Sequence, residues 1–178
     1  MGIGPDAPEP TRNELKKMTY LNLIIKEVLR LYPSVPLNSR SALKTTTLPV
    51  GGGTDGKAPI LVRKGEAVGY CVYAMHRRKD IYGSDAEEFR PERWEGDALK
   101  DVGYAYLPFN GGPRVCLGQD FAVMEASYAV VRILQCFPKL EVSEEERGVG
   151  VVGVGEEKQS LTLVVSSAEG CKVELRTS

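Results

Sequence analysis

The chain has 178 residues, of which 42% are hydrophobic and 26% are charged, a composition typical of a globular protein of one-domain size. Its formal net charge of −1 gives no electrostatic reason to expect a nucleic-acid partner. No apolar run approaches the roughly 20 residues of a membrane-spanning helix, and no signal peptide is recognisable at the start.

Two helices are predicted in the first part of the chain. Thr11 and Asn13 are both suited to cap a short helix. Over residues 19–32 apolar side chains recur at helical spacing, and Pro33 ends the run. We therefore predict that the first long helix covers this range.

Extended segments and loops follow. Residues 34–50 read as extended segments broken by prolines, and residues 51–56 form a glycine-rich loop. Because this loop lacks a strand-to-helix context, it is not interpreted as a phosphate cradle. Residues 58–74 are predicted to form a β-hairpin that turns at residues 63–65.

The second half contains a charged, turn-rich stretch over residues 77–107 and then a glycine-rich loop over residues 109–118. A long helix is predicted over residues 117–136, where Phe137-Pro138 ends the apolar run. A closing β-hairpin is predicted over residues 160–176.

The four cysteines, at positions 71, 116, 136 and 171, lie far apart and include no Cys-x-x-Cys pair. A zinc site or an iron–sulfur cluster needs several clustered ligands, so neither is expected. The lone His76 is interpreted as a hydrogen-bonded structural residue, not as a metal ligand. Unpaired cysteines also suit a reducing, cytosol-facing compartment.

The loop before the long helix carries the strongest chemical signal. It holds Phe109, Gly112, Arg114, Cys116 and Gly118 at fixed spacing. Glycines let the backbone approach a flat ligand closely, because they have no Cβ. An arginine and a helix N-terminus favour the thiolate form of a nearby cysteine. The loop is therefore suited to offer one sulfur anion to a metal centre.

A buried structural cysteine after a glycine-rich turn is the alternative, and it is the usual fate of a lone cysteine. Five fixed positions match by chance in on the order of 10⁻⁵ of chains of this length, which argues against that alternative.

The five residues match the pattern Phe-x-x-Gly-x-Arg-x-Cys-x-Gly, which resembles the haem-binding loop of the cytochromes P450. The resemblance implies haem b as cofactor, with Cys116 as the iron ligand and Arg114 at a haem propionate. Gly112 and Gly118 are implied beside the haem, and Phe109 is expected to pack against the sulfur.

Arg40 falls where the family often places a second propionate arginine, and a planar guanidinium binds a carboxylate bidentately. The alternative for Arg40 is a solvated surface arginine.

Two further motifs carry the resemblance. Residues 26–33 resemble the family's K helix, and residues 89–94 resemble its meander motif. The resemblance implies that Glu27, Arg30 and Arg93 form a buried charge network behind the haem, with a role in folding and haem retention. Without this context, Glu27 and Arg30 would be read as an exposed pair one turn apart on a helix.

The resemblance implies a fold class. We expect an α+β chain, mainly helices with small β-hairpins, that forms the C-terminal part of the cytochrome P450 fold as one partial domain over residues 1–178. The family's distal helix, its N-terminal part and its membrane anchor have no counterpart in the sequence, so a fragment of doubtful activity is expected.

The implied activity is that of a monooxygenase that uses O₂ and electrons from NADPH, delivered by cytochrome P450 reductase. The resemblance is closest to fungal enzymes that hydroxylate alkanes and fatty acids, and it places Val35, Pro36 and Leu37 against a lipophilic substrate. Lys79, Lys100 and Arg132 are candidates for an electrostatic reductase contact.

Two alternatives stay open: a non-catalytic haem-binding or relic module, and a thiolate-haem isomerase or dehydratase that acts on oxygenated lipids. The family's full-length members lie at the cytosolic face of the endoplasmic reticulum membrane. This chain, without an anchor, is expected to be cytosolic when expressed alone.

Overall fold

A computed structural model describes residues 4, 6–142, 158–162, 164–168, 170 and 172–176. The architecture is the expected α+β mixture of helices and small antiparallel sheets. The α-helices of the described part are α1 (Arg12–Lys17), α2 (Thr19–Leu31), α3 (Val72–Met75), α4 (Lys79–Tyr82) and α5 (Gln119–Cys136). Its strands are β1 (Leu37–Ser41), β2 (Thr46–Gly52), β3 (Ala58–Val62), β4 (Ala67–Cys71), β5 (Lys139–Val142), β6 (Gln159–Leu161), β7 (Val165–Ser167) and β8 (Val173–Arg176).

The two predicted long helices lie where the sequence places them. Helix α2 ends one residue before the predicted end, since Tyr32 already leaves the helical conformation ahead of Pro33. Helix α5 begins at Gln119, two residues after the predicted start, and Gly118 is its N-cap. The short helix α1 is capped by Thr11, whose hydroxyl accepts from the Glu14 N–H while the Glu14 carboxylate accepts from Thr11, a reciprocal capping box.

The predicted hairpin over residues 58–74 is wrong. Strand β3 pairs with β2 and strand β4 pairs with β1, so all four strands form one long antiparallel ribbon in two sections. The chain reverses at residues 53–57, where Gly53 and Gly56 have φ of +73° and +70°. The segment at residues 63–66 only interrupts the ribbon, and backbone hydrogen bonds of Ala42 to Gly65 and Glu66 bridge the interruption.

The predicted closing hairpin over residues 160–176 is also wrong. Strand β6 turns back into β7, whereas β8 pairs with β5, the strand that follows α5. The β5–β8 register places Leu140 opposite Leu175, and Arg176 forms an ion pair with Glu141 at 3.5 Å. Such cross-strand pairs stabilise a ladder, and they give β8 a partner far away in the sequence. Cys171 lies outside the described residues.

The core lies where α2 packs against α5 and against the 3-10 turn Pro91–Trp94. Its buried apolar residues are Leu15, Leu23, Leu31, Val62, Val72, Tyr82, Ala86 and Val131. Among the described residues, the charged side chains of Glu27, Arg30, Arg77 and Arg93 are buried as well. Among the helices of the described residues, none is both long and apolar enough to cross a membrane.

Candidate functional site

The cysteine loop closes on itself by backbone hydrogen bonds. The Cys116 N–H donates to the Phe109 carbonyl at 2.8 Å, and the Val115 N–H donates to the Gly112 carbonyl at 3.1 Å. Gly112 has φ of +67°, a left-handed conformation that favours glycine, and it starts a short 3-10 turn that continues through Pro113. The loop is therefore a closed turn that ends where α5 begins.

Cys116 is exposed at this point, whereas Cys71 and Cys136 are half-buried. Cys116 is therefore not buried by the residues that the structure describes. Gly118, the N-cap of α5, lies so close that a Cβ added to it would stand 3.9 Å from the Cys116 sulfur. Cys116 is therefore accessible to a ligand from outside the chain, and Gly118 places no side chain beside the sulfur.

The two candidate anion-binding arginines are exposed on separate elements. Arg114 lies in the 3-10 turn of the cysteine loop. Arg40 lies on β1, where its guanidinium donates to the Ser39 carbonyl at 2.8 Å and stands 5.8 Å from the Tyr70 ring centroid. Arg40 keeps donors available for an acidic ligand, since it bonds only to Asn38 and Ser39 on its own strand.

Phe109 is half-buried and lines a cavity of about 450 Å³ between α2 and the first turns of α5. Its packing against the cysteine sulfur stays a prediction.

The three charged residues that the sequence singles out meet at one carboxylate. Glu27 forms two hydrogen bonds with Arg30, at 2.9 and 2.8 Å, and a third with the Arg93 Nε at 2.8 Å. The Trp94 indole and the Arg90 N–H each donate to it at 2.9 Å. Burial alone would raise the pKa of Glu27, but these donors outweigh burial and lower it. Glu27 is therefore an ionised, fully hydrogen-bonded centre.

The remaining donors of the two arginines bind backbone carbonyls. Arg30 donates to the carbonyls of His76 (2.8 Å), Ala86 (2.6 Å) and Glu88 (3.1 Å). Arg93 donates to the carbonyls of Tyr82, Asp85 and Glu88 at 2.8, 2.8 and 3.1 Å. The network thus fixes the path of the chain over residues 76–88, a role that sequence reasoning missed because backbone acceptors leave no residue signal.

His76 connects this network to the cysteine loop. It is fully buried, its Nδ1 lies 3.0 Å from the Arg30 carbonyl, and its Nε2 lies 2.8 Å from the Leu107 nitrogen. These partners require a neutral ring that donates from Nδ1 and accepts at Nε2. Burial lowers the pKa of His76 to about 4, which favours that neutral form. Leu107 lies two residues before Phe109, so this histidine positions the start of the loop.

A further contact that the sequence did not reveal involves Asn110. Its side-chain oxygen accepts a hydrogen bond from the Tyr70 hydroxyl at 2.7 Å. Asn110 has φ of +64°, and the tolerance of asparagine for that region was the one signal in the sequence.

Comparison with known proteins adds the family to this geometry. Residues 3–149 match the family model described as Cytochrome P450. The chain belongs to the cytochrome P450 family. A protein of Arthroderma benhamiae named Cytochrome P450 is 70% identical over 176 residues, which cover 99% of this chain and 35% of the relative.

Two more fungal relatives are similar over most of the chain. Cytochrome P450 52A13 of Debaryomyces hansenii is 56% identical over 81% of this chain and 28% of its own length. Cytochrome P450 monooxygenase g430 of a Fusarium species is 51% identical over 96% of this chain and 28% of its own length. The chain thus spans about a third or less of the length of these curated relatives.

The P450 family implies a haem cofactor, and the donor set of the structure fits one. In the part of the chain that the structure describes, no three His, Cys, Asp or Glu side chains are grouped as ligands of a metal ion. Haem iron needs one thiolate from the protein. Cys116 is exposed, lies in a closed turn and has Gly118 beside it, which suits a flat macrocycle.

Proposed function

We propose that this chain is the haem-thiolate part of a cytochrome P450 monooxygenase, with Cys116 as the ligand of the iron of haem b. One observation carries the proposal: the exposed sulfur of Cys116 stands at the start of α5, in a loop closed by the Cys116–Phe109 backbone hydrogen bond. A fixed backbone holds the sulfur in one place, which a single-point iron ligand requires.

The other loop residues have supporting roles in this proposal. Gly112 supplies the left-handed turn, and Gly118 leaves room for the macrocycle beside the sulfur. Arg114 and Arg40 are proposed to bind the two propionates, because exposed guanidinium forks pair bidentately with carboxylates. Phe109 is proposed to keep water away from the sulfur.

Glu27, Arg30 and Arg93 are proposed to retain the cofactor indirectly. They touch no ligand atom in this proposal; they hold the backbone over residues 76–88, from which His76 positions Leu107 and the loop. When bound, a thiolate-ligated haem supplies O₂ activation, since the sulfur donates electron density that favours O–O bond cleavage. The chain's own residues contribute ligation, orientation and exclusion of water.

The proposed substrate class is an alkane or a fatty acid. Val35 and Leu37 are exposed apolar residues that flank the half-buried Pro36 at the entry to β1. The Val165 N–H donates to the Ser34 carbonyl at 2.8 Å, so the start of β7 lies beside this segment. An apolar surface formed by two distant parts of the chain suits an aliphatic chain.

The proposed co-substrates are O₂ and electrons from NADPH, delivered by cytochrome P450 reductase at the cytosolic face of the endoplasmic reticulum membrane. Lys79 and Lys100 are exposed and suited to an acidic partner. Arg132 is half-buried and donates to the Ala7 carbonyl and the Gln135 side chain, at 3.1 and 2.8 Å. We therefore leave Arg132 out of the proposed contact.

The test is the difference spectrum of the reduced, carbon-monoxide-bound chain after expression with a haem precursor. We expect a red-shifted Soret band of the thiolate–CO type, which Cys116→Ala abolishes. Cys136→Ala is the matched control, because it removes a half-buried thiol from the other end of α5. A Soret band that Cys116→Ala leaves unchanged, or no haem uptake by the unaltered chain, would contradict the proposal.

The substrate class has its own test. Dodecanoate should shift the Soret band of the ferric holoprotein, and Leu37→Asp should weaken that shift because it places a charge on the apolar surface. Leu43→Asp is the control, since Leu43 is also exposed but lies outside the β1 strand. Turnover of a lipid hydroperoxide without reductase or NADPH would instead favour an isomerase or dehydratase.

A further inference from the structure

The hydroxyl of Tyr70 reaches from the β-ribbon to the cysteine loop. Tyr70 lies on β4, is half-buried, and donates to the side-chain oxygen of Asn110 at 2.7 Å. Among the described residues, Asn110 is the one non-glycine residue with positive φ. A left-handed conformation is unfavourable for a residue with a Cβ, although asparagine tolerates it better than most.

The position of Asn110 makes its conformation matter for the rest of the loop. Its N–H donates to the Leu107 carbonyl at 3.2 Å, and the chain changes direction there before it enters the turn at Gly112. The Phe109 carbonyl, in the peptide group just before the Asn110 Cα, accepts from the Cys116 N–H at 2.8 Å. A different backbone conformation at Asn110 would move Phe109 relative to Gly112 and break this closing bond.

Tyr70 is well placed to hold that conformation, because it is itself held on two sides. In the β1–β4 pair it stands opposite Asn38, and the Arg40 guanidinium lies 5.8 Å from its ring centroid. A cation at this distance from an aromatic ring is attracted to its face. The tyrosine therefore connects a regular ladder to an irregular loop.

We propose that Tyr70 is a positioning residue for the thiolate: through Asn110 it holds the loop in the conformation that presents the Cys116 sulfur. The part of this proposal that concerns Cys116 as an iron ligand rests on the proposed haem-thiolate function. Tyr70 touches no reacting atom; it acts through the backbone of the loop.

The first test needs no cofactor. In the chain as expressed, hydrogen exchange of the Cys116 amide reports the opening of its bond to Phe109. Tyr70→Phe removes only the hydroxyl, and we expect it to speed this exchange about fivefold, which corresponds to one ordinary hydrogen bond. The matched control is Tyr20→Phe, since the Tyr20 hydroxyl also makes a 2.7 Å bond, to Glu92, and neither residue belongs to the cysteine loop.

A double-mutant cycle shows whether Tyr70 acts through Asn110. Glycine adopts φ of +64° without strain and needs no tether, so Tyr70→Phe should have no further effect on exchange when added to Asn110→Gly. Asn110→Ala lacks the acceptor and keeps the Cβ, and it should speed exchange more than Asn110→Gly does. If Tyr70→Phe fails to fold, Asn110→Asp decides: it keeps a side-chain oxygen for the Tyr70 hydroxyl, so its exchange should stay slower than that of Asn110→Ala, and equal exchange in these two variants would overturn the proposal.

The second test uses the holoprotein. We expect Tyr70→Phe to lower the fraction of haem in the thiolate–CO Soret band at unchanged total haem, whereas Tyr20→Phe leaves that fraction unchanged. A merely structural role would reduce haem content without changing the ligand signature. Unchanged exchange and an unchanged band in Tyr70→Phe, or equal effects with and without Asn110→Gly, would overturn the proposal. If the unaltered chain takes up no haem, the proposed function fails, and the exchange experiment still decides the role of Tyr70.

Discussion

The carboxylate of Glu27 and the guanidinium of Arg93 meet at 2.8 Å, although 66 positions of the chain separate them. Both side chains are buried, and Arg30 bonds the same carboxylate from the other side. This contact joins helix α2 to the 3-10 turn Pro91–Trp94.

Replacing the Glu27 carboxylate should therefore lower the free energy of unfolding. We expect Glu27→Gln to lower the free energy of unfolding by about 3–5 kcal/mol, because two buried guanidiniums lose their counter-charge. Denaturant titration monitored by circular dichroism measures this. Glu66→Gln is the control: Glu66 pairs with Arg63 at the surface, so its loss should not measurably change stability. A Glu27→Gln variant as stable as the control would show that the network is dispensable.

The buried histidine predicts how stability depends on pH. The pKa of His76 is lowered from 6.5 to about 4, chiefly by burial, so between these pH values the unfolded chain binds a proton that the folded chain does not. The free energy of unfolding should then fall as pH falls through this window, by at most about 1.4 kcal/mol per pH unit.

The variant His76→Gln keeps one donor and one acceptor but has no proton to bind, so it should remove this slope. Carboxylates with lowered pKa values, such as Glu27, add a fall of their own near pH 4.5, where the unfolded carboxyl groups take up protons, but this part is common to both chains and cancels in the comparison. Equal slopes for the variant and the unaltered chain in urea titrations at several pH values would refute the assignment.

Two glycines of the loop should respond differently to an added methyl group. Gly112 has φ of +67°, so Gly112→Ala is expected to lower the stability of the cofactor-free chain by about 1–2 kcal/mol through backbone strain. Gly118 has φ of −86°, and its added Cβ would be 3.9 Å from the Cys116 sulfur, an ordinary contact. Gly118→Ala should leave that stability unchanged.

Haem uptake separates the two glycines further. If the macrocycle lies beside the sulfur as proposed, the methyl group of Gly118→Ala should weaken haem retention at unchanged stability of the cofactor-free chain. Measuring haem transfer to an acceptor apoprotein tests this, and an unchanged transfer rate would mean that the cofactor does not approach Gly118.

The charge of Arg40 offers a test of propionate binding. A charge-assisted hydrogen bond contributes about 1.5–3 kcal/mol, so we expect Arg40→Gln to speed haem loss at least about tenfold. Arg63→Gln is the matched control, since Arg63 is exposed in the segment that interrupts the same ribbon and pairs with Glu66. Similar haem-loss rates for the two variants would favour the interpretation of Arg40 as a solvated arginine.

Local patterns predicted the two long helices and the cysteine loop, but not the short helices α3 and α4 or the strand partners. Helix α2 follows from its apolar spacing and Pro33, and the loop follows from five fixed positions before α5. Both hairpin predictions were wrong, because the sequence of a strand indicates that it pairs but does not indicate which strand is its partner. The partner of β4 is β1, which the sequence predicts only as part of an extended segment. The partner of β8 is β5, for which the sequence predicts no strand.

The candidate site shows the same limit. Cys116, Glu27 and Arg93 carry charges or sulfur at motif spacing, so the sequence could single them out. The Trp94 indole on Glu27, the Leu107 amide on His76 and the Tyr70 hydroxyl on Asn110 are contacts between distant positions. No local periodicity encodes such contacts, because they depend on how the elements pack.

The carbonyls that Arg30 and Arg93 bind have a consequence for the stretch between His76 and Glu88. A carbonyl oxygen is the same whichever side chain its residue bears, so two arginines located outside the stretch specify its route. The exposed side chains of this stretch, such as Lys79, therefore do not have to determine the backbone path. A designer could rewrite the exposed positions of this stretch, Lys79 among them, to suit a different partner protein while the irregular path beneath stays the same.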